Sequence, residues 1–269
     1  MEMSWLHGNR LLDRRYSLDD FADGAQGLNV EALVYVQTDV AQPYAFIEAA
    51  WATALAADDA RLQAVVAWAP LEYGERARFF IDRLEGLGPV LKGIRRNIQD
   101  EPDPDFCVQT AFVRGVQLLA DYDLSFDICA RHDQLRAVGR LVRECPSTRF
   151  VLDHLGKPDI GHHRLDPWRA DLSRLAESRN VWCKISGLTT QAGQSWTTDD
   201  LRPFVDHAIG QFGAERIMFG GDWPVALQAT SYARWVATAE TLTSSLSSAD
   251  RRRFWRENGS AFYRLDGRS

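Results

Sequence analysis

Short apolar runs recur along the chain at nearly regular intervals, each followed by a longer stretch of helical character. Residues 32–37, 63–68, 90–95, 125–130, 149–153, 181–186 and 216–220 are rich in β-branched, aromatic and other apolar side chains, which predicts strands. Their starts lie 31, 27, 35, 24, 32 and 35 residues apart, close to the roughly thirty that one βαβ unit requires. Residues 43–58, 76–84, 135–143 and 201–212 read as helices between them. Steady alternation with strands apolar along their length predicts a parallel sheet covered by helices. A doubly wound open sheet would also alternate, but no Gly-x-Gly-x-x-Gly follows the first strand. The expectation is therefore an α/β fold of the (β/α)8 TIM-barrel type.

Such a barrel has eight strands, and the pattern shows seven. Residues 1–30 supply no strand-like run; they carry Trp5, His7 and Asp13-Arg14-Arg15, then Ser17 with Asp20 three residues on, a capping-box start for a helix. The first strand is expected to be missing or irregular. A chain that starts downstream of it would account for this. Residues 1–269 are read as one barrel domain, with 1–30 as its irregular opening segment.

Composition narrows the class. The 269 residues are 45% apolar and 25% charged with a formal net charge of −6, an ordinary enzyme-like balance. The longest basic run is Arg251-Arg252-Arg253, which argues against a nucleic-acid partner. Four dispersed cysteines and no signal peptide point to a reduced, cytoplasmic setting, and no apolar run is long enough for a membrane partner.

Polar residues gather where the strands end, and in a parallel barrel the strand tips carry the chemistry. Arg95-Arg96-Asn97, Arg131-His132, Asp153-His154 and Asp222 each follow an apolar run, while Lys184 and Ser186 share one face of theirs. Charges crowded at one end of a buried barrel are costly unless they are used or paired. Asp222, after Gly220-Gly221 and before Trp223-Pro224, stands where a catalytic base would be placed. His162-His163 reads as an exposed loop pair and His207 as a structural helix residue.

The run Phe150-Val151-Leu152-Asp153-His154-Leu155-Gly156-Lys157-Pro158 resembles a signature of the amidohydrolase superfamily. Gly93-Ile94-Arg95-Arg96, Val181-Trp182-Cys183-Lys184-Ile185-Ser186-Gly187-Leu188, Met218-Phe219-Gly220-Gly221-Asp222-Trp223-Pro224 and Asn258-Gly259-Ser260-Ala261-Phe262-Tyr263 are similar, in order, to its branch of sugar-lactone and 2-pyrone-4,6-dicarboxylate lactonases. The resemblance implies a barrel that hydrolyses a cyclic ester, with Asp222 activating water and His154 polarising the carbonyl or binding a metal. Asp222 and His154 are the tentative metal ligands, for a divalent ion such as zinc or for none. Arg95, Arg96, His132, Lys184 and Trp223 are the expected substrate contacts.

One departure stands out. The family's first strand ends in His-x-His, and this chain has no such motif. The branch includes members that work without metal, so the expected activity is still a lactonase acting on a sugar-acid lactone in carbohydrate catabolism. A pyrone-dicarboxylate lactonase, a metal-dependent decarboxylase of the same superfamily and an inactive relative are the alternatives. The expected partner is a small-molecule substrate, with a homo-oligomer left open.

Overall fold

In the computed structural model, which describes residues 1–265, seven parallel strands form one sheet in the order β1 to β7. They are β1 (Leu33–Val36), β2 (Leu62–Ala67), β3 (Leu91–Ile94), β4 (Ser125–Ile128), β5 (Arg149–Leu152), β6 (Val181–Ile185) and β7 (Ile217–Phe219). The last four residues of the single unit expected over 1–269 lie outside the described part. Every predicted strand is present, shortened by one or two residues at its tip, where the chain leaves the ladder to build loops.

Helices α1 (Leu18–Gly24), α2 (Ala45–Asp58), α3 (Arg78–Glu85), α4 (Thr110–Leu118), α5 (Leu135–Glu144), α6 (Trp168–Ala176), α7 (Leu188–Ala192), α8 (Thr198–Phe212), α9 (Tyr232–Leu242), α10 (Ser248–Arg252) and α11 (Asn258–Tyr263) complete the chain. The Ser17–Asp20 capping box is formed reciprocally at the start of α1. Among the described residues no helix is long and apolar enough to cross a membrane.

Alternate strand residues divide cleanly between two faces. Val65, Ala67, Ile94, Phe126, Ile128, Phe150, Leu152, Cys183, Ile185 and Ile217 join the main core beneath the helices. Val34, Val36, Ala64, Val66, Val151, Trp182 and Met218 form a second cluster with Phe262, Tyr263 and Leu265. Residues from both ends of the sheet therefore meet around one plug, so the sheet is curled into most of a barrel. The end of α11 fills its interior.

The barrel does not close. Among the described residues no strand joins β7 to β1, as the missing first strand required. Exposed edges invite pairing with other chains and are usually covered. Here the first thirty residues lie across the opening. Trp5 Nε1 donates to the Thr38 carbonyl beyond β1 at 2.9 Å. Asn9 Nδ2 donates to Gln228 Oε1 beyond β7 at 2.8 Å. Phe21 of α1 and Ala25, the residue that ends it, then pack with Tyr232, Leu33, Phe219 and Trp223.

The plug makes a direct prediction. Phe262 is buried, with its ring 5.2 Å from that of Trp182. Phe262→Ala should lower the unfolding free energy by about 3–5 kcal/mol, measured by urea denaturation.

Candidate active site

The site begins with a layer of buried charge inside the barrel. Gly93, Asp127, Asp153 and Lys184 come from four successive strands or their tips. A Cβ on Gly93 would sit 2.3 Å from Ser125 Oγ and 3.5 Å from Asp127 Oδ1, so this glycine leaves room for the neighbouring polar groups. Lys184 Nζ donates to Asp127 Oδ2 at 2.6 Å and lies 2.8 Å from Asp153 Oδ1, an ion contact off the line of a hydrogen bond. Arg95 binds Asp153 Oδ2 at 3.0 Å and also donates to the Gln37 carbonyl. Tyr263 Oη closes the series on Asp127 Oδ2 at 2.5 Å.

Two cations and two carboxylates thus alternate as Arg95, Asp153, Lys184, Asp127. Burial would raise the Asp153 carboxyl, but Lys184 and Arg95 outweigh it and hold it well below the usual carboxylate range. Burial would likewise lower Lys184, but Asp127 and Asp153 keep its ammonium strongly favoured. The charge of Lys184, expected to face substrate, is engaged by two carboxylates in the interior.

Above this layer the chain after β5 makes an unusual turn. His154, Leu155, Gly156 and Lys157 have φ values of 55°, 53°, 69° and 49°, one turn of left-handed backbone. Each non-glycine residue there costs roughly 1–2 kcal/mol, and such strain collects where geometry serves function. The turn is held from outside. Trp168 Nε1 donates to the Leu155 carbonyl at 2.7 Å, Leu155 is buried, and Lys157 N–H donates to the His154 carbonyl at 2.8 Å. Gly187, at φ +64°, lies so close that a Cβ would fall 2.5 Å from His154 Nδ1.

His154 Nδ1 is 2.8 Å from Ser186 Oγ, and its Nε2 is 3.8 Å from Asp222 Oδ1. Burial pushes the imidazole down to about 3, so it is neutral near pH 7. Burial pushes Asp222 up to about 7, against the pull of Lys157 and Arg95. A carboxylate poised near neutrality faces a neutral imidazole, the environment a general base needs. With Nδ1 accepting from Ser186, Nε2–H is a donor toward the gap; with Nδ1–H donating, the Nε2 lone pair faces it. Asp222 itself sits at φ +50°, fixed by its carbonyl accepting from Ala226 N–H at 2.8 Å.

The other expected contacts divide. Arg95 stands in the interior beside Asp153, whereas Arg96 is held by Glu72 at 3.0 Å and by Glu101 at 2.6 Å and is not part of the cluster. His132 Nδ1 pairs with the Lys157 carbonyl at 3.0 Å, at the edge of the site. Trp223 packs edge-on against Tyr16 and Phe21, at 5.2 and 5.3 Å, so the opening segment holds its ring. His162 is exposed beside Asp159, and His207 bonds the Arg169 carbonyl; neither is near the strand tips. Gln99 and Lys157 were not among the expected site residues, although both lie in stretches that carry the family resemblance, Gln99 beyond the β3 tip and Lys157 inside the His154 turn.

Ligand atoms of Cys129, Asp153 and His154 lie within 4.8 Å of one another. Asp153 is already occupied by Arg95 and Lys184. A neutral imidazole and a carboxylate facing each other are nonetheless donors that suit zinc in an open site. His154 and Asp222 would be its ligands; the donor cluster that includes Cys129 does not extend to Asp222.

A curled parallel barrel with an imidazole and a carboxylate meeting at its strand tips defines an enzyme that works at that end of the sheet. The family model described as Amidohydrolase matches residues 6–265, and the chain belongs to that family. It is 37% identical over 231 residues to an L-fucono-1,5-lactonase of Burkholderia multivorans, covering 81% of this chain and 77% of the relative. An amidohydrolase from Burkholderia multivorans solved with bound zinc superposes with a TM-score of 0.86 at 34% identity, over 97% of this chain and 93% of that one. A probable 2-pyrone-4,6-dicarboxylic acid hydrolase from Acinetobacter baumannii shares the fold at 14% identity, with a TM-score of 0.74 over 94% of this chain and 93% of that one.

The raised Asp222 makes stability depend on pH. The folded state keeps this proton up to about 7, while the ordinary value is 3.8, so the folded state becomes relatively less favourable as pH rises between them. In zinc-free protein, Asp222→Asn should be more stable than wild type by on the order of 3–4 kcal/mol at pH 8. That difference should vanish near pH 4, as read from denaturation midpoints at the two pH values.

Proposed function

We propose that this protein is a lactonase that opens a sugar-acid lactone. The observation that carries the reading is the facing pair His154 and Asp222, 3.8 Å apart at the tips of β5 and β7, in a chain whose relative is named L-fucono-1,5-lactonase. Ester hydrolysis needs a water deprotonated on one side of the carbonyl and a stabilised oxyanion on the other.

Asp222 takes a proton from water, and the water oxygen bonds to the lactone carbonyl carbon. The carbonyl electron pair moves onto its oxygen. His154, fixed by Ser186, offers Nε2–H to that oxygen. Collapse breaks the ring C–O bond, and the departing ring oxygen takes the proton back from Asp222. The product is a hydroxy acid. Zinc held by His154 and Asp222 would add Lewis-acid polarisation of the carbonyl. Arg95 keeps Asp153 ionised and so fixes the β5 tip from which His154 projects.

A sugar lactone suits the site better than a dicarboxylate. Three of the cations that could receive carboxylates, Arg95, Arg96 and Lys184, already have acidic partners. The expected cytoplasmic setting and a homo-oligomeric state belong to this reading as proposals.

The test is a pH-indicator assay with L-fucono-1,5-lactone, other aldonolactones and 2-pyrone-4,6-dicarboxylate, with chelator and with added zinc. Hydrolysis of at least one sugar-acid lactone is expected, falling by about 10²–10⁴-fold in Asp222→Asn. Loss on chelation that zinc restores would assign the metal to this site. Absence of any lactone hydrolysis with and without zinc, or full activity in Asp222→Asn, would overturn the proposal.

A further inference from the structure

The cations near the strand tips are nearly all engaged. Arg95 is paired with Asp153, Arg96 with Glu72 and Glu101, Lys184 with Asp127 and Asp153, and Arg131 lies 3.5 Å from Asp100. Lys157 differs: among the described residues it has no carboxylate partner. Its Nζ donates instead to Gln99 Oε1, which also accepts from Cys129 Sγ at 3.3 Å. Cys129 in turn lies in the His154 group of donors. The half-buried Lys157 ammonium is thus linked through neutral groups to a thiol that lies within 4.8 Å of a His154 ring nitrogen.

The left-handed turn explains why. His154 and Lys157 are its first and last residues, three apart and joined by the 2.8 Å backbone hydrogen bond. Side chains at that spacing in a three-residue turn leave on the same side. Strain in the turn therefore delivers two functional groups to one place. His132 fixes the far end by bonding the Lys157 carbonyl. Lys157 is also the largest opposing charge felt by Asp222.

Resting on the lactonase reading and deepening it, we infer that Lys157 is a catalytic residue whose ammonium, steered by Gln99, receives the negative charge that forms on the substrate carbonyl oxygen and stays on the product carboxylate. A positively charged donor without a carboxylate partner among the described residues, placed at the end of the turn that begins with His154, is suited to charge that appears only during the reaction.

The experiment compares wild type, Lys157→Met, which keeps length without charge, and Lys157→Cys before and after alkylation with 2-bromoethylamine. The four native cysteines are buried, so alkylation is directed to the new thiol. On the lactone that wild type hydrolyses best, kcat should fall by about 10²–10³-fold in Lys157→Met, with a much smaller change in KM. Alkylation of Lys157→Cys should restore activity at least tenfold. Unchanged kcat in folded Lys157→Met, or no recovery on alkylation, overturns the inference and leaves the lactonase reading standing. Should wild type hydrolyse no lactone, that reading fails, and calorimetric binding of L-fuconate decides the inference. Binding by wild type and not by Lys157→Met supports an anion-receiving Lys157, whereas equal binding or none overturns it.

Discussion

The site depends on alternating charge inside the barrel. Arg95, Asp153, Lys184 and Asp127 sit where a parallel barrel ordinarily packs apolar layers, and none could be there alone. Isolated buried charges are strongly unfavourable, and removing one partner from such a set costs about 3–5 kcal/mol. Together they are neutral, and Tyr263 from the C-terminal plug completes them at Asp127. The arrangement fixes Asp153 and therefore the backbone that must turn left-handed at the next residue. His154 and Lys157 take their positions from that turn. Both side chains thus stand on an electrostatic floor rather than on a loop free to move.

The open side of the barrel is the second constraint. With β1 and β7 as edges, the chain covers the opening with its first thirty residues, anchored by Trp5 and Asn9 and packed through Phe21. Because Phe21 and Tyr16 press on Trp223, the same segment supports the loop that carries Asp222. Cover of the open edge and placement of Asp222 are mechanically one feature. The conformational cost of Asp222 at positive φ is offset by this packing and by the Ala226 hydrogen bond.

Much of this was legible in the sequence. Strands buried on both faces read as continuous apolar runs, so all seven were found, and the capping box at Ser17 was found from local chemistry. Lys184 and Ser186 share a face, as period-two alternation requires. What alternation could not say is which partners that face meets: Asp127 lies two strands away. Arg95 and Arg96 could not be told apart either. Pairing of β2 with β3 shifts by a residue between Val65 and Val66, and a one-residue slip exchanges inside for outside. Lys157 escaped notice for a different reason. Three non-glycine residues in left-handed conformation follow no local propensity, and tertiary structure stabilises them through the Trp168 hydrogen bond, the burial of Leu155 and the close approach of Gly187.

The central claim is that burial in this charged enclosure leaves Asp222 as a base poised near neutrality. It is tested most directly by a carbon-13 NMR titration of the aspartate carboxyls in zinc-free protein, with the Asp222 resonance assigned by its absence in Asp222→Asn. A midpoint near 7 is the result this account predicts. A midpoint near the ordinary 3.8 would contradict it, and the facing of His154 and Asp222 would then need another explanation.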